Sequence, residues 1–156
     1  MKTMQDWLDA YAESHQNKTN KVIHFVCVPL IVFSVVGLFM SIPNAIIVEL
    51  TGIESIMIAN WAVVALIPIM FFYMRLSVKM GILILAFLAL CILGNFQLEL
   101  ISGFSIWQSS LSIFVVAWIG QFYGHKLEGQ KPSFFDDLKF LLIGPAWILD
   151  DLFFKK

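Results

Sequence analysis

The chain contains three histidines, His15, His24 and His125, and each stands beside a boundary between polar residues and a long apolar run. They are accompanied by other polar groups, in Tyr11-x3-His15-x4-Asn20-x3-His24 near the start and Gln121-x2-Gly124-His125-x2-Glu128 further on. Imidazole nitrogens with a carboxylate are the donors that a borderline transition metal takes. If folding joins the two clusters, three imidazoles and Glu128 could surround one point and still leave positions for substrate and oxygen.

Helical spacing arranges these residues into stripes. Tyr11 and His15 are i, i+4 on an amphipathic N-terminal helix expected to carry Trp7, Leu8 and Tyr11 against a bilayer surface. Asn20 and His24 are also i, i+4, with Thr19 or Asn20 suited to cap the first long helix. On one straight helix His15 and His24 would point in nearly opposite directions, so a turn at Gln16-Asn17-Lys18-Thr19 is needed to fold the chain back. Gln121, His125 and Glu128 form one stripe, and Gly124 beside them permits close approach of another backbone.

The elements that must position these stripes are membrane helices. Hydrophobic residues make up 60% of the chain and charged residues only 13%, far from the mix of a soluble domain. Four runs, about 22–42, 56–74, 80–98 and 104–123, are long enough to cross a ~30 Å hydrocarbon core and contain no Lys, Arg, Asp or Glu. They are apolar on both parities, which argues against a barrel in lipid. The expectation is an all-α polytopic membrane protein forming a single integral domain over 1–156. It has four transmembrane helices, an amphipathic interfacial helix over 3–15 and a short interfacial or re-entrant helix within 134–154. In the last of these, Phe140 to Leu149 is too short to span and is broken by Gly144-Pro145.

The basic residues flank run one on its N-terminal side, sit between runs two and three, and follow run four. The other two links have none, so both termini are expected to be cytoplasmic. The polar first 21 residues lack the basic start of a cleaved signal peptide, so run one should remain as an anchor. This topology brings all three histidines and Glu128 to one face.

Each element also has an ordinary explanation. Single histidines near headgroups are often interfacial, Glu128 could pair with Lys126 or Lys131, Asn20 could serve only as a cap, and Trp7 and Tyr11 could be interfacial aromatics. Cys27 and Cys91 read as packing residues rather than a disulfide, and Pro29 and Pro68 as kinks. Asn95, Gln97 and Glu99 belong near the opposite face. Without ionisable groups at membrane depth a transporter is disfavoured. There is also no phosphate loop or basic-aromatic array for nucleic acid.

Three segments together resemble the 2-hydroxy fatty acid dioxygenase family: Tyr11-x3-His15-x4-Asn20-x3-His24-x4-Pro29, then Trp118-Ile119-x-Gln121-Phe122-x-Gly124-His125-x2-Glu128-x3-Pro132, then Gly144-Pro145. The likeness runs from about Tyr11 to Phe154, with the middle spans matching only in hydrophobicity. It departs from the family pattern at Ser133 and at Asp150-Asp151. The resemblance implies an Fe(II)-dependent membrane enzyme of fatty acid α-oxidation, using O2 to shorten a long-chain 2-hydroxy fatty acid by one carbon. His15, His24 and His125 would be the metal ligands and Glu128 a fourth ligand or an acceptor that orients one. Gln121, Asn20 and Tyr11 would be outer partners. The substrate's chain would lie among the helices, within membrane lipid, with its head at the level of the histidines. A homo-oligomer is compatible with the sequence, and a cytoplasmic face for the histidines fits a bacterial inner membrane or an endoplasmic reticulum equally. Two other classes compete: a haem-binding electron-transfer protein, and a metal-free structural or lipid-binding membrane protein.

Overall fold

A computed structural model describes residues 3–13, 15–129 and 140–154. Among these residues the regular elements are all helices: α1 (Met4–Glu13), α2 (Lys18–Met40), α3 (Ala45–Thr51), α4 (Trp61–Leu76), α5 (Val78–Ser102), α6 (Ile106–Glu128) and α7 (Ile143–Phe153). Their ends follow local chemistry. Asn17 caps α2, its Oδ1 accepting from the backbone N–H of Thr19 at 2.9 Å and of Asn20 at 3.2 Å. The expected cap at Thr19 or Asn20 therefore lies further back, which frees Asn20 for another partner. Ser77 alone separates α4 from α5, and its hydroxyl accepts from Met80 N–H at 3.3 Å. Gly103 and Gly129 end α5 and α6 with φ of 71° and 76°, a left-handed conformation that glycine adopts without strain.

Among the described residues two helices, α2 and α5, are both long and apolar enough to cross a membrane, where the hydropathy runs suggested four. At 16 residues α4 extends only ~24 Å at the helical rise, short of a ~30 Å core. The 23 residues of α6 are long enough, but Gln108, Ser109, Ser110, Ser112 and Gln121 dilute its apolarity. The link expected at Pro43 to Ser55 contains the short α3. Both cysteines are free, and α2 and α4 continue through Pro29 and Pro68.

The tightest packing is of α6 on α2, through glycines. A Cβ placed on Gly120 would lie 2.6 Å from Cys27 Sγ, and one on Gly124 would lie 2.4 Å from Asn20 Oδ1. The apolar face of α1 does not lie open to a bilayer. Leu8 and Tyr11 are buried with Ile143, Ala146 and Trp147 of α7, and Trp7 packs against the same cluster. The expected interfacial helix is thus a cover over the bundle end, because α7 offers it a protein surface.

Further along α2 a polar clasp ties three helices. Asn95 Nδ2 donates to the carbonyls of Phe33 and Cys91, both at 2.9 Å, and Ser110 Oγ donates to Asn95 Oδ1 at 3.1 Å. A Cβ on Gly37 would fall 2.0 Å from Ser110 Oγ and 2.2 Å from Asn95 Oδ1. Gly37→Ala should therefore destabilise the bundle by about 1–3 kcal/mol from overpacking, with more if Asn95 loses its bonds. A lowered thermal midpoint in detergent would record it, and a wild-type midpoint would refute the clasp.

Candidate metal centre

The turn after α1 and the tight α2–α6 crossing bring the three histidines together. Their ring centroids are 4.3 Å apart for His15 and His24, 5.0 Å for His24 and His125, and 5.8 Å for His15 and His125. One potential ligand nitrogen from each lies within 4.8 Å of the others, and all three residues are buried. A buried imidazole nitrogen needs a hydrogen-bond partner or a metal, and three imidazoles at this range offer a metal a set of nitrogen donors.

Two of the rings are held in the form that binds a metal. His15 Nδ1 lies 2.8 Å from the carbonyl of Tyr11, and His24 Nδ1 lies 3.0 Å from the carbonyl of Asn20. A carbonyl only accepts, so each Nδ1 carries a proton, and in the neutral ring each Nε2 keeps its lone pair. The i, i+4 spacing thus fixes the tautomer, through the backbone of Tyr11 and Asn20 rather than their side chains. The Tyr11 ring also stacks on His15, with centroids 4.2 Å apart and planes 12° from parallel. Imidazole nitrogen donors in a buried pocket fit a non-haem transition metal.

Glu128 is not part of this convergent group. Its carboxylate accepts from Gln16 N–H at 2.7 Å, from Asn17 N–H at 3.0 Å and from Asn20 Nδ2 at 2.7 Å. It latches the end of α6 to the turn that carries His15 towards His24. Partial burial would by itself raise the Glu128 carboxyl. The bonds from Asn20, Gln16 and Asn17, together with nearby His15, outweigh that and hold it below the usual carboxylate value.

A group with a depressed folded value adds stability above its unfolded value, ~4.3 for Glu, and loses it as pH falls through the folded value. The thermal midpoint of the metal-free protein should therefore fall on acidification below about pH 4, more steeply than in Glu128→Gln. Parallel pH profiles for the two proteins would refute the latch.

Gln121 is buried and lies with His24, Val28, Ile31 and Tyr11 around a cavity of about 20 Å³; among the described residues its Oε1 has no hydrogen-bond partner. Trp147 was not indicated by spacing, yet its ring stands 5.4 Å from Tyr11 and 5.9 Å from His15. Its only sequence signal was the Gly144-Pro145 break, which starts a helix with Gly144 small enough to sit against Tyr11 and Val28. Ser133 and Pro132 lie outside the described residues; Asp151 is exposed on α7.

The fold and site define an all-helical protein with membrane-length helices and a buried three-histidine candidate metal centre at one end of its bundle. The family described as "2-hydroxy-palmitic acid dioxygenase Mpo1-like" matches residues 1–156, and the chain belongs to it. It is 26% identical over 156 residues to the 2-hydroxy-palmitic acid dioxygenase MPO1 of Saccharomyces cerevisiae, covering 97% of this chain and 80% of that protein. No solved structure matches the chain.

Proposed function

We propose that the chain is a non-haem Fe(II) dioxygenase that shortens a long-chain 2-hydroxy fatty acid by one carbon. The observation that carries this reading is the convergence of three buried histidines, two with the tautomer fixed, in a chain of the Mpo1-like family. Iron held by His15, His24 and His125 would supply a Lewis-acidic, redox-active centre for the hydroxy acid and O2. One O2 balances the reaction without an external reductant: the products are the acid one carbon shorter, CO2 and water.

The chain's own groups orient and shield. Tyr11 holds the plane of His15, the Asn20 carbonyl holds His24, and Glu128 keeps the turn between them closed. Gln121 Oε1 provides a buried acceptor beside His24 for the substrate hydroxyl. Lys18, Lys21 and Lys126 are the cations nearest in sequence to these motifs and would attract the carboxylate. In the same reading α2, α4, α5 and α6 all lie within the bilayer as one domain, with both termini cytoplasmic, so that the substrate enters from lipid.

The test is purified protein loaded anaerobically with Fe(II) and given 2-hydroxypalmitate and O2. The expected result is O2 uptake matched by pentadecanoic acid, identified by mass. No uptake with any 2-hydroxy fatty acid would refute the reading, and a Soret band would point to haem instead.

A further inference from the structure

Resting on that assignment of substrate, we propose that an apolar cavity on the far side of residues 140–145 receives the methyl end of the acyl chain and sets its length. The cavity measures about 90 Å³ and its lining is aliphatic and aromatic throughout, apart from the Tyr73 hydroxyl. That hydroxyl is turned away from the job of solvating the space, because it donates to the Leu142 carbonyl. A cavity of this kind stays dry and takes hydrocarbon.

Its position relative to the histidines identifies the occupant. Leu141 borders both this cavity and the small one beside His24 and Gln121, so the two spaces meet at this residue. Along α2 the wall continues from His24 through Val28 and Ile31 to Val32 and Val36. From His24 to Val36 the helix rises ~18 Å, close to the ~15 Å of one leaflet's hydrocarbon. A single long acyl chain with its head at the histidines would therefore end beside Val36.

The floor is built from three helices. The α4–α5 link lies at the histidine end, since Tyr73 bonds to Leu142, so Ile69 on α4 and Leu88 on α5 lie farther from the histidines than Tyr73 and Ile84. Val36, Ile69 and Leu88 thus line the far end of the cavity. None of them touches the histidine cluster, which separates chain-length selection from chemistry.

The experiment measures binding of 2-hydroxy acids of graded length to the full purified chain, by displacement of radiolabelled 2-hydroxypalmitate. Referred to the acid free in water, affinity should rise about fourfold per methylene until the floor is reached, and then stop rising. Val36→Phe and Leu88→Phe should each weaken 2-hydroxypalmitate by about fifteenfold, two methylenes' worth, and leave 2-hydroxyoctanoate unchanged. Retained binding of the short acid shows that the variants are folded.

As a measurement independent of any variant, a 2-hydroxy acid with a diazirine at its methyl end should label wild-type peptides containing Val36, Ile69 or Leu88. An unchanged length profile in both variants, or label confined to other peptides, overturns the tail cavity while leaving the proposed function standing. Normal binding and labelling without O2 uptake overturns the chemistry and leaves the cavity. Wild-type protein that binds no 2-hydroxy acid of any length overturns both.

Discussion

Replacing His24 with alanine is expected to strip the protein of its metal and abolish turnover. His24 is the most enclosed of the three histidines, at 1% exposure, and sits between the other two with centroids 4.3 Å and 5.0 Å away. Its Nδ1 is held by the Asn20 carbonyl, so Nε2 is a donor aimed without further ordering cost. Loss of an outer partner typically costs ~10–100-fold in metal affinity or activity, and loss of a ligand should exceed that. Alanine also opens a void among Tyr11, Val28 and Gln121, so His24→Gln, which keeps volume and polarity, is the better test of binding.

Iron content after gel filtration, with helicity by circular dichroism, separates lost metal from lost fold. His15→Ala and His125→Ala should behave alike, because each removes one corner of a group whose donor atoms lie within 4.8 Å of one another. If all three variants retain wild-type iron, the centre lies elsewhere and the imidazoles serve packing.

The parts of this site that were legible in the sequence are those fixed by local periodicity. The i, i+4 pairing of Tyr11 with His15 and Asn20 with His24 indicated two stripes, and the polar stretch between them required the reversal that joins them. What those pairs do was not legible, because the contacts that matter are backbone carbonyls. Nor was the latch. Glu128 reaches Gln16 across 112 residues of sequence, and its position against the Gln16 and Asn17 N–H groups and the Asn20 amide is decided by where α6 ends. The face of α1 read as bilayer-bound for a similar reason: an apolar stripe reports that something covers it, not whether lipid or α7 does so. Run length alone could not separate α6, diluted by serines and glutamines, from α2 and α5.

Gly124→Ala is expected to damage the metal centre although residue 124 donates nothing to it. The added Cβ would lie 2.4 Å from Asn20 Oδ1 and 3.3 Å from Ile23 Cγ2. Ordinarily the end of an asparagine side chain could swing aside. Here Asn20 is fully buried and its Nδ2 donates to Glu128 Oε2 at 2.7 Å, so rotation breaks that bond and buries an unsatisfied amide. The alternative is for α2 and α6 to separate. That movement would carry His24 away from His125, since the two rings approach across this same crossing. Overpacking of this kind costs about 1–3 kcal/mol, and the loosened latch on the His15 turn adds to it.

Because the damage passes through geometry, metal affinity should fall by ~10–100-fold, as for loss of an outer partner, with helix content largely kept. The double variant Gly124→Ala with Asn20→Ala distinguishes the routes. Removing the Asn20 side chain relieves the clash but also removes the bond to Glu128, so it should restore thermal stability more fully than metal affinity. Equal recovery of both would mean that Asn20 matters only as an obstacle, and no loss in Gly124→Ala itself would mean that the α2–α6 crossing does not set the spacing of the histidines.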